Sequence, residues 1–288
     1  MKRWIAVDWG TTALRATLVE GEATQTRESG AGMNSLGREG FEPALLALVE
    51  DWLPAPVRVC GMAGARQGWH EAPYRSVPCT PLGDPVRVPA SDPRLHATIV
   101  PGLSQRAPHP DVMRGEETQI AGVLATLPDF DGCLCLPGTH TKWVHVSAGE
   151  VISFLTCMTG ELFALLSERS VLRHSLAGDG WDDAAFAEAA AEALSRPERL
   201  AARAFGLRAA DLLHGQDAGT ARATLSGLLV GAEMAAARPW WLGRDVVITG
   251  SDRTAPIYEA ALAAEGITTR ILPAGAMTLA GLASLEAP

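Results

Sequence analysis

Asp8-Trp9-Gly10-Thr11-Thr12, running on into Ala13-Leu14-Arg15, is the stretch that decides how this chain folds. Residues 3–8 read as a strand entering a Gly-Thr turn, residues 13–19 as its hairpin partner, and Gly21-Glu22 as the next turn. The pattern recurs. Gly138-Thr139-His140 opens a second hairpin that ends at Gly149-Glu150, so Gly10 and Gly21 each find a match 128 residues further on. Two copies imply a duplicated unit whose turns face each other across a cleft. Glycine lets a backbone approach a ligand closely, successive N–H groups make a concave anion nest, and threonine hydroxyls add donors. Gly10, Thr11 and Thr12 in one turn, and Gly138, Thr139 and His140 in the other, are therefore expected to hold phosphate groups. Asp8 lies two residues before the first nest, where its carboxylate would repel phosphate unless a cation intervened. Mg2+ suits that place, because it takes oxygen ligands and keeps several waters. At this spacing Leu136 stands opposite Asp8, so only one copy supplies an acid.

The surrounding sequence is α/β. A helix is expected at about 40–52, where Phe41, Leu45, Leu48, Val49 and Trp52 recur at helical spacing, followed by a strand at 57–60. Residues 61–95 are irregular and rich in Gly and Pro, and residues 101–113 read as a linker after a strand at 96–100. A helix is expected at 115–127 and strands at 133–136, 142–147 and 151–155. The remainder is mainly helical, at about 183–195, 197–205, 219–237, 253–265 and 275–286, interrupted by strands near 245–249 and 267–272. Two domains follow, 1–110 and 111–288, with the last helix (about 275–288) packing back on the first.

Of the 288 residues, 47% are hydrophobic and 20% charged, enough to fill a core. A net charge of −9 with no basic block argues against a nucleic-acid partner. The start, Met1-Lys2-Arg3, leads into an apolar run too short for a signal peptide, and nothing is long enough to span a membrane, so the cytoplasm is the expected location. The cysteines Cys60, Cys79, Cys133, Cys135 and Cys157 form no disulfide frame, and Cys133 and Cys135 read as buried packing. Neither a Walker-type nor a Gly-x-Gly-x-x-Gly run follows a strand. The sequence does not set the oligomeric state; a homo-oligomer is allowed.

Asp8 to Arg15 resembles the first phosphate motif of the actin-like ATPase superfamily, Leu136-Pro137-Gly138-Thr139-His140-Thr141-Lys142-Trp143 its second, and Ile248-Thr249-Gly250-Ser251 its adenosine motif. Met113-Arg114-Gly115-Glu116-Glu117-Thr118-Gln119, Met158-Thr159-Gly160-Glu161-Leu162, Gly61-Met62-Ala63-Gly64 with Gly68-Trp69, Ala72-Pro73-Tyr74 and Gly231-Ala232-Glu233 resemble the 2-dehydro-3-deoxygalactonokinase family. The resemblance implies two ribonuclease-H-like domains with mixed sheets and antiparallel hairpins, closing on an interdomain cleft. It implies ATP and Mg2+ as cofactors, and phosphorylation of the sugar acid 2-dehydro-3-deoxy-D-galactonate at O6. It also assigns Gly250 and Ser251 to the nucleotide. The superfamily's second motif often carries an Asp where Leu136 stands.

In related carbohydrate kinases a Gly-Asp pair opens the helix before the second hairpin, and Gly115-Glu116 occupies that place. Glu116 is the candidate base that accepts the hydroxyl proton, and Glu117 is the rival, about 100° round the helix. Arg15 is expected to neutralise γ-phosphate or hold the substrate carboxylate, for which Arg66 and Arg114 are further candidates. Asn34 is placed near sugar hydroxyls. Trp69 either stacks on the carbon chain or belongs to the core. Lys142 approaches phosphate or is a solvated strand lysine. Thr159 reads as a helix cap with Leu162, Leu165 and Leu166 packing behind it, and His174 as structural. Two alternatives stay open: another sugar or sugar-acid kinase on the same scaffold, and a nucleotide-switched binding protein without enzymatic activity.

Overall fold

The computed structural model describes residues 3–285; Met1 and Lys2, and residues 286–288 at the end of the expected last helix, lie outside them. Contacts divide the chain into two units: 1–130 with 146–153 and 274–288, and 131–145 with 154–273. The first break falls later in the chain than the Pro- and Gly-rich stretch 101–113. That stretch is not a linker: Leu103–Gln105 and Asp111–Met113 pair antiparallel, and Leu103–Gln105 also pairs in parallel with Arg75–Ser76.

The first sheet is built on β1 (Arg3–Trp9), β2 (Leu14–Glu20), β3 (Ala23–Ser29), β4 (Pro56–Gly61) and β5 (His96–Ile99). Their spatial order is β3-β2-β1-β4-β5, with the short strand Val86–Arg87 at the edge. β1 and β2 are antiparallel with Asp8 opposite Arg15, while β1 and β4 are parallel with Asp8 beside Cys60. Alternation sends the two faces of β1 to different cores. Ile5, Val7 and Trp9 join Val57, Val59 and Ile99 under α1 (Phe41–Val49), whose Phe41, Leu45 and Val49 are buried at helical spacing. Trp4, Ala6 and Cys60 join Leu282 on the other face. Each fully buried side chain of this size contributes about 1.5–3 kcal/mol of transfer free energy.

That second face is covered by α2 (Glu116–Thr126) and the chain's last described helix, Ala274–Ser284. The two approach so closely that a Cβ on Gly122 would lie 1.9 Å from the Met277 carbonyl oxygen, and one on Gly281 1.9 Å from that of Thr118. Glycine is required at both positions.

The second sheet repeats the plan. β6 (Gly132–Leu136), β7 (Thr141–Ser147), β8 (Glu150–Cys157), β9 (Val246–Gly250) and β10 (Thr269–Pro273) are ordered β8-β7-β6-β9-β10, with β6, β9 and β10 parallel. Around it lie α3 (Thr159–Arg169), α4 (Asp183–Ser195), α5 (Leu200–His214), α6 (Ala218–Ala236) and α7 (Ala255–Ala264). The helix expected at 197–205 instead runs through Leu200–His214 and stops at Gly215, whose φ of 65° ends it in the left-handed conformation. α4 and α6 meet backbone to backbone through Gly227 and Gly231. Cys133 and Cys135 are fully buried, as expected. No helix of the described residues is long and apolar enough to cross a membrane.

The strands sharpen the repeat. β2 and β3 begin at Leu14 and Ala23, β7 and β8 at Thr141 and Glu150, an offset of 127 rather than 128. The second outer turn is Ala148-Gly149, both at positive φ (50° and 78°). In strand register the counterpart of Asp8 is therefore Cys135, not Leu136, and that of Arg15 is Lys142. The second copy still brings no acid to that place.

Candidate active site

The first turn joins β1 to β2, and its carbonyls are tied off from behind. Met33 N–H donates to the Gly10 oxygen at 3.1 Å and Asn34 N–H to the Thr11 oxygen at 2.9 Å. Gly32 makes this possible, since a Cβ there would fall 2.3–2.4 Å from Thr12 backbone atoms. Gly10 N–H is used within the turn, by Ala13 O. Among the described residues the amides of Thr11 and Thr12 have no acceptor, so the turn keeps donors to spare, as an anion nest must.

The carboxylates converge below this turn. Gly61 ends β4 at φ 84°, close against Trp9, and Gly115, at φ 106°, sits 3.4 Å (from its Cβ position) from the Gly61 Cα. Both have a positive φ that favours glycine, and a Cβ on Gly61 would also lie 2.5 Å from the Trp9 oxygen. Together they bring the start of α2 beside the end of β1. Asp8 is half-buried there. Burial pushes its carboxyl above the usual range, Arg15 pulls it down and Glu116 pushes it up again, so these three groups share one electrostatic neighbourhood. Arg15 itself is exposed and paired with Glu28 across the hairpin.

The two glutamates of α2 differ sharply. Glu117 is fully buried, accepts from Gly115 N–H at 2.7 Å and from the Thr118 hydroxyl at 3.2 Å, and is pushed up to about 8 by burial, with Glu116 adding to the shift. Glu116 is half-buried and accepts from Arg114 N–H at 3.1 Å. Only Glu116 retains access to a ligand.

Arg114 is buried. Its Nη2 donates to Ala72 O at 2.7 Å and its guanidinium stacks 4.4 Å from the Tyr74 ring centre, but Nε and Nη1 have no partner. Asn34 is exposed and tied to the first turn by its N–H. Two expected substrate residues are not brought in. Trp69 is buried with its ring 6.0 Å from that of Trp9, so its faces serve the core and not a carbon chain. Arg66 is a surface cation with 82% of its side chain exposed, 3.7 Å from Glu71.

The second turn is braced by a helix. Glu161 N–H donates to Thr139 O at 2.9 Å, and Gly160 must be glycine because a Cβ would lie 2.3 Å from Gly138 O. His140 is hydrogen-bonded to the Glu161 carboxylate. Lys142 is buried and donates to His140 O at 3.2 Å, which rules out a solvated lysine. Thr159 is no cap: Met158 holds that position, and Thr159 is the first helical residue, buried. Leu162 and Leu165 are exposed and only Leu166 packs. His174 is exposed. Beyond β9, Gly250 is buried beside Pro137, and the Ser251 hydroxyl accepts from Thr254 N–H at 3.2 Å, ahead of α7. A cavity of about 1160 Å3 opens in this unit, lined by Gly138, Thr139, Gly160, Ser226 and residues 252–254. Sequence reasoning missed the lining from α3 and α6, whose apolar spacing gives no sign of a pocket.

A family model described as 2-keto-3-deoxy-galactonokinase matches residues 8–285. The chain belongs to that family. It is 39% identical to a probable 2-dehydro-3-deoxygalactonokinase of Rhizobium meliloti (strain 1021), over 98% of this chain and 95% of that one. It is 34% identical to the 2-dehydro-3-deoxygalactonokinase of Escherichia coli (strain K12), over 98% and 97%. A crystal structure of a candidate 2-dehydro-3-deoxygalactonokinase from Sinorhizobium meliloti superposes with a TM-score of 0.90, at 39% identity and coverage of 98% and 97%. Component A of the (R)-2-hydroxyglutaryl-CoA dehydratase of Acidaminococcus fermentans shares the fold alone, at a TM-score of 0.53 and 13% identity. The fold of this family member is thus that of the actin-like ATPases and sugar kinases, as the resemblance of its phosphate and adenosine motifs implied.

Proposed function

We propose that the chain transfers the γ-phosphoryl group of ATP to O6 of 2-dehydro-3-deoxy-D-galactonate, in galactonate catabolism. It is a carbohydrate kinase of that family, and the family match over residues 8–285 carries the reading. The oxygen of the substrate hydroxyl attacks the γ-phosphorus, the bond from that phosphorus to the β,γ-bridging oxygen breaks, and ADP leaves. The hydroxyl proton passes to Glu116, the accessible carboxylate of the α2 pair.

In the first unit the amides and hydroxyls of Thr11 and Thr12 bind phosphate; in the second unit the Gly138 and Thr139 amides and the Thr139 hydroxyl do so. Arg15 releases Glu28 to meet γ-phosphate. The unpaired guanidinium edge of Arg114 draws the substrate carboxylate, and Asn34, fixed beside the first turn, meets sugar hydroxyls. Adenosine occupies the second unit's cavity near Gly250 and Ser251. The donor set fits Mg2+: Asp8 carries a half-buried carboxyl beside a second acid, a charge pattern that a divalent cation relieves. Asp8 would hold the metal, which neutralises phosphate charge when bound.

An ATP-coupled assay comparing this sugar acid, its gluconate epimer and a plain hexose tests the reading. The galacto sugar acid should show the highest kcat/KM. A higher value for the hexose would overturn it.

A further inference from the structure

We infer that Glu233 is a positioning residue for nucleotide binding: its carboxylate ties the second phosphate turn, the start of α3 and the start of α7 into one rigid wall of the second unit's cavity. The inference rests on reading that cavity as the nucleotide site.

Glu233 projects from α6 into the interior and is 5% exposed. Its Oε1 accepts from the Trp143 indole N–H at 2.7 Å and its Oε2 from the Tyr258 hydroxyl at 2.9 Å. The Thr159 hydroxyl also donates to it, and that of Thr141 lies beside it. Thr141 and Tyr258 are further linked at 2.8 Å. These partners are not scattered. Thr141 and Trp143 lie just after the Gly138–His140 turn, Thr159 immediately precedes Gly160, and Tyr258 stands on the first turn of α7, after residues 252–254. Each partner therefore belongs to a segment that lines the cavity.

The chemistry explains why an acid is buried here. A carboxylate only accepts, so it can take indole, phenol and threonine donors at once. A buried acid with several donors is costly unless all are matched. A glutamine would turn an N–H toward one of those donors and leave it unpaired. Burial pushes Glu233 up to about 7 and the polar groups around it oppose that shift. Nothing in phosphoryl transfer requires an acid at this depth, which leaves geometry as its task.

The test measures KM for ATP and for the sugar acid separately, with ADP binding by calorimetry, in Glu233→Gln and Tyr258→Phe. Glu233→Gln should raise KM for ATP and the ADP Kd about tenfold, the scale seen when groups that orient a ligand's direct contacts are changed. KM for the sugar acid should stay within about twofold, and Tyr258→Phe should show the same split to a smaller degree. Equal rises in both KM values, or a lowered Tm with both unchanged, would overturn the inference. Should Glu233→Gln fail to fold, Tyr258→Phe alone decides on the same criterion. Ala164→Trp, an exposed lining position on α3, separates the two levels of the argument. Lost ADP binding in Ala164→Trp with normal binding in Glu233→Gln sinks only the role of Glu233. Unchanged ADP binding in Ala164→Trp sinks the cavity reading and the inference with it.

Discussion

The turns at Gly10 and Gly138 share a strand–turn–strand frame and a sheet order, yet they are supported by different chemistry. The first is backed by the Gly32–Asn34 loop and sits above a cluster of charge: Asp8, Arg15 and Glu116. The second is backed by the start of α3 and sits above a neutralised hub of indole, phenol and hydroxyl donors around Glu233. Where the first has Asp8, the second has the buried Cys135; where the first has the exposed Arg15, the second has the buried Lys142. A duplicated scaffold has kept the nest and divided the work around it. One half concentrates charged groups, and the other concentrates neutral donors around one buried acid.

That division can be broken experimentally. The largest effect is expected at the charged half: Glu116→Gln should lower kcat by ~10²–10⁴-fold while ADP binding survives. Near-normal turnover would remove the proton-accepting role. Asp8→Asn should raise the Mg2+ concentration for half-maximal rate at least about tenfold, whereas Cys135→Ser should leave it unchanged. A metal response from both variants would erase the asymmetry.

Glu117 makes the charged half sensitive to pH. Its carboxyl is at about 8 in the folded chain against 4.5 ordinarily. The folded state therefore binds the extra proton between these values, and stability is fully present below about 4.5 and lost as pH rises through 8. Urea unfolding at pH 5 and 8.5 should show the wild type losing on the order of a few kcal/mol more than Glu117→Gln. Parallel curves for the two proteins would mean the acid is matched in both states.

Gly32→Ala and Gly160→Ala probe the two braces directly. Each should cost about 1–3 kcal/mol, read from urea midpoints, because the added Cβ meets backbone at 2.3 Å. The smallest effect is predicted for Arg66→Ala. Its exposed side chain should leave stability within about 0.5 kcal/mol, and both KM values unmoved.

The frame was legible because its signals are local. A strand, a Gly-Thr turn and a return strand fit within about twenty residues, and their repetition needs no tertiary knowledge. Family blocks singled out Asp8 and Glu116, but a boundary at 110 put them in different domains; the fold brings both into the first unit and one electrostatic neighbourhood. What stayed hidden depends on distant partners. Trp69 is a core residue because Trp9 lies against it, sixty residues away in sequence. Thr159 looks like a cap until Glu233 is seen to claim its hydroxyl. Residues 101–113 look like a linker because three-residue strands carry too little alternation to register. The choice between Glu116 and Glu117 was open on helical geometry, and depth alone distinguishes them.

One further consequence follows from the helix at Ala274–Ser284. It shares the buried face of β1 with Trp4 and Ala6, and the Arg58 guanidinium reaches Leu282 O at 2.7 Å. The first unit thus draws on both ends of the chain. During synthesis, domains ordinarily fold in order of emergence. Here α2 is made early, but that face of the first sheet stays incomplete until the ribosome has delivered the whole of the second unit and the helix beyond it.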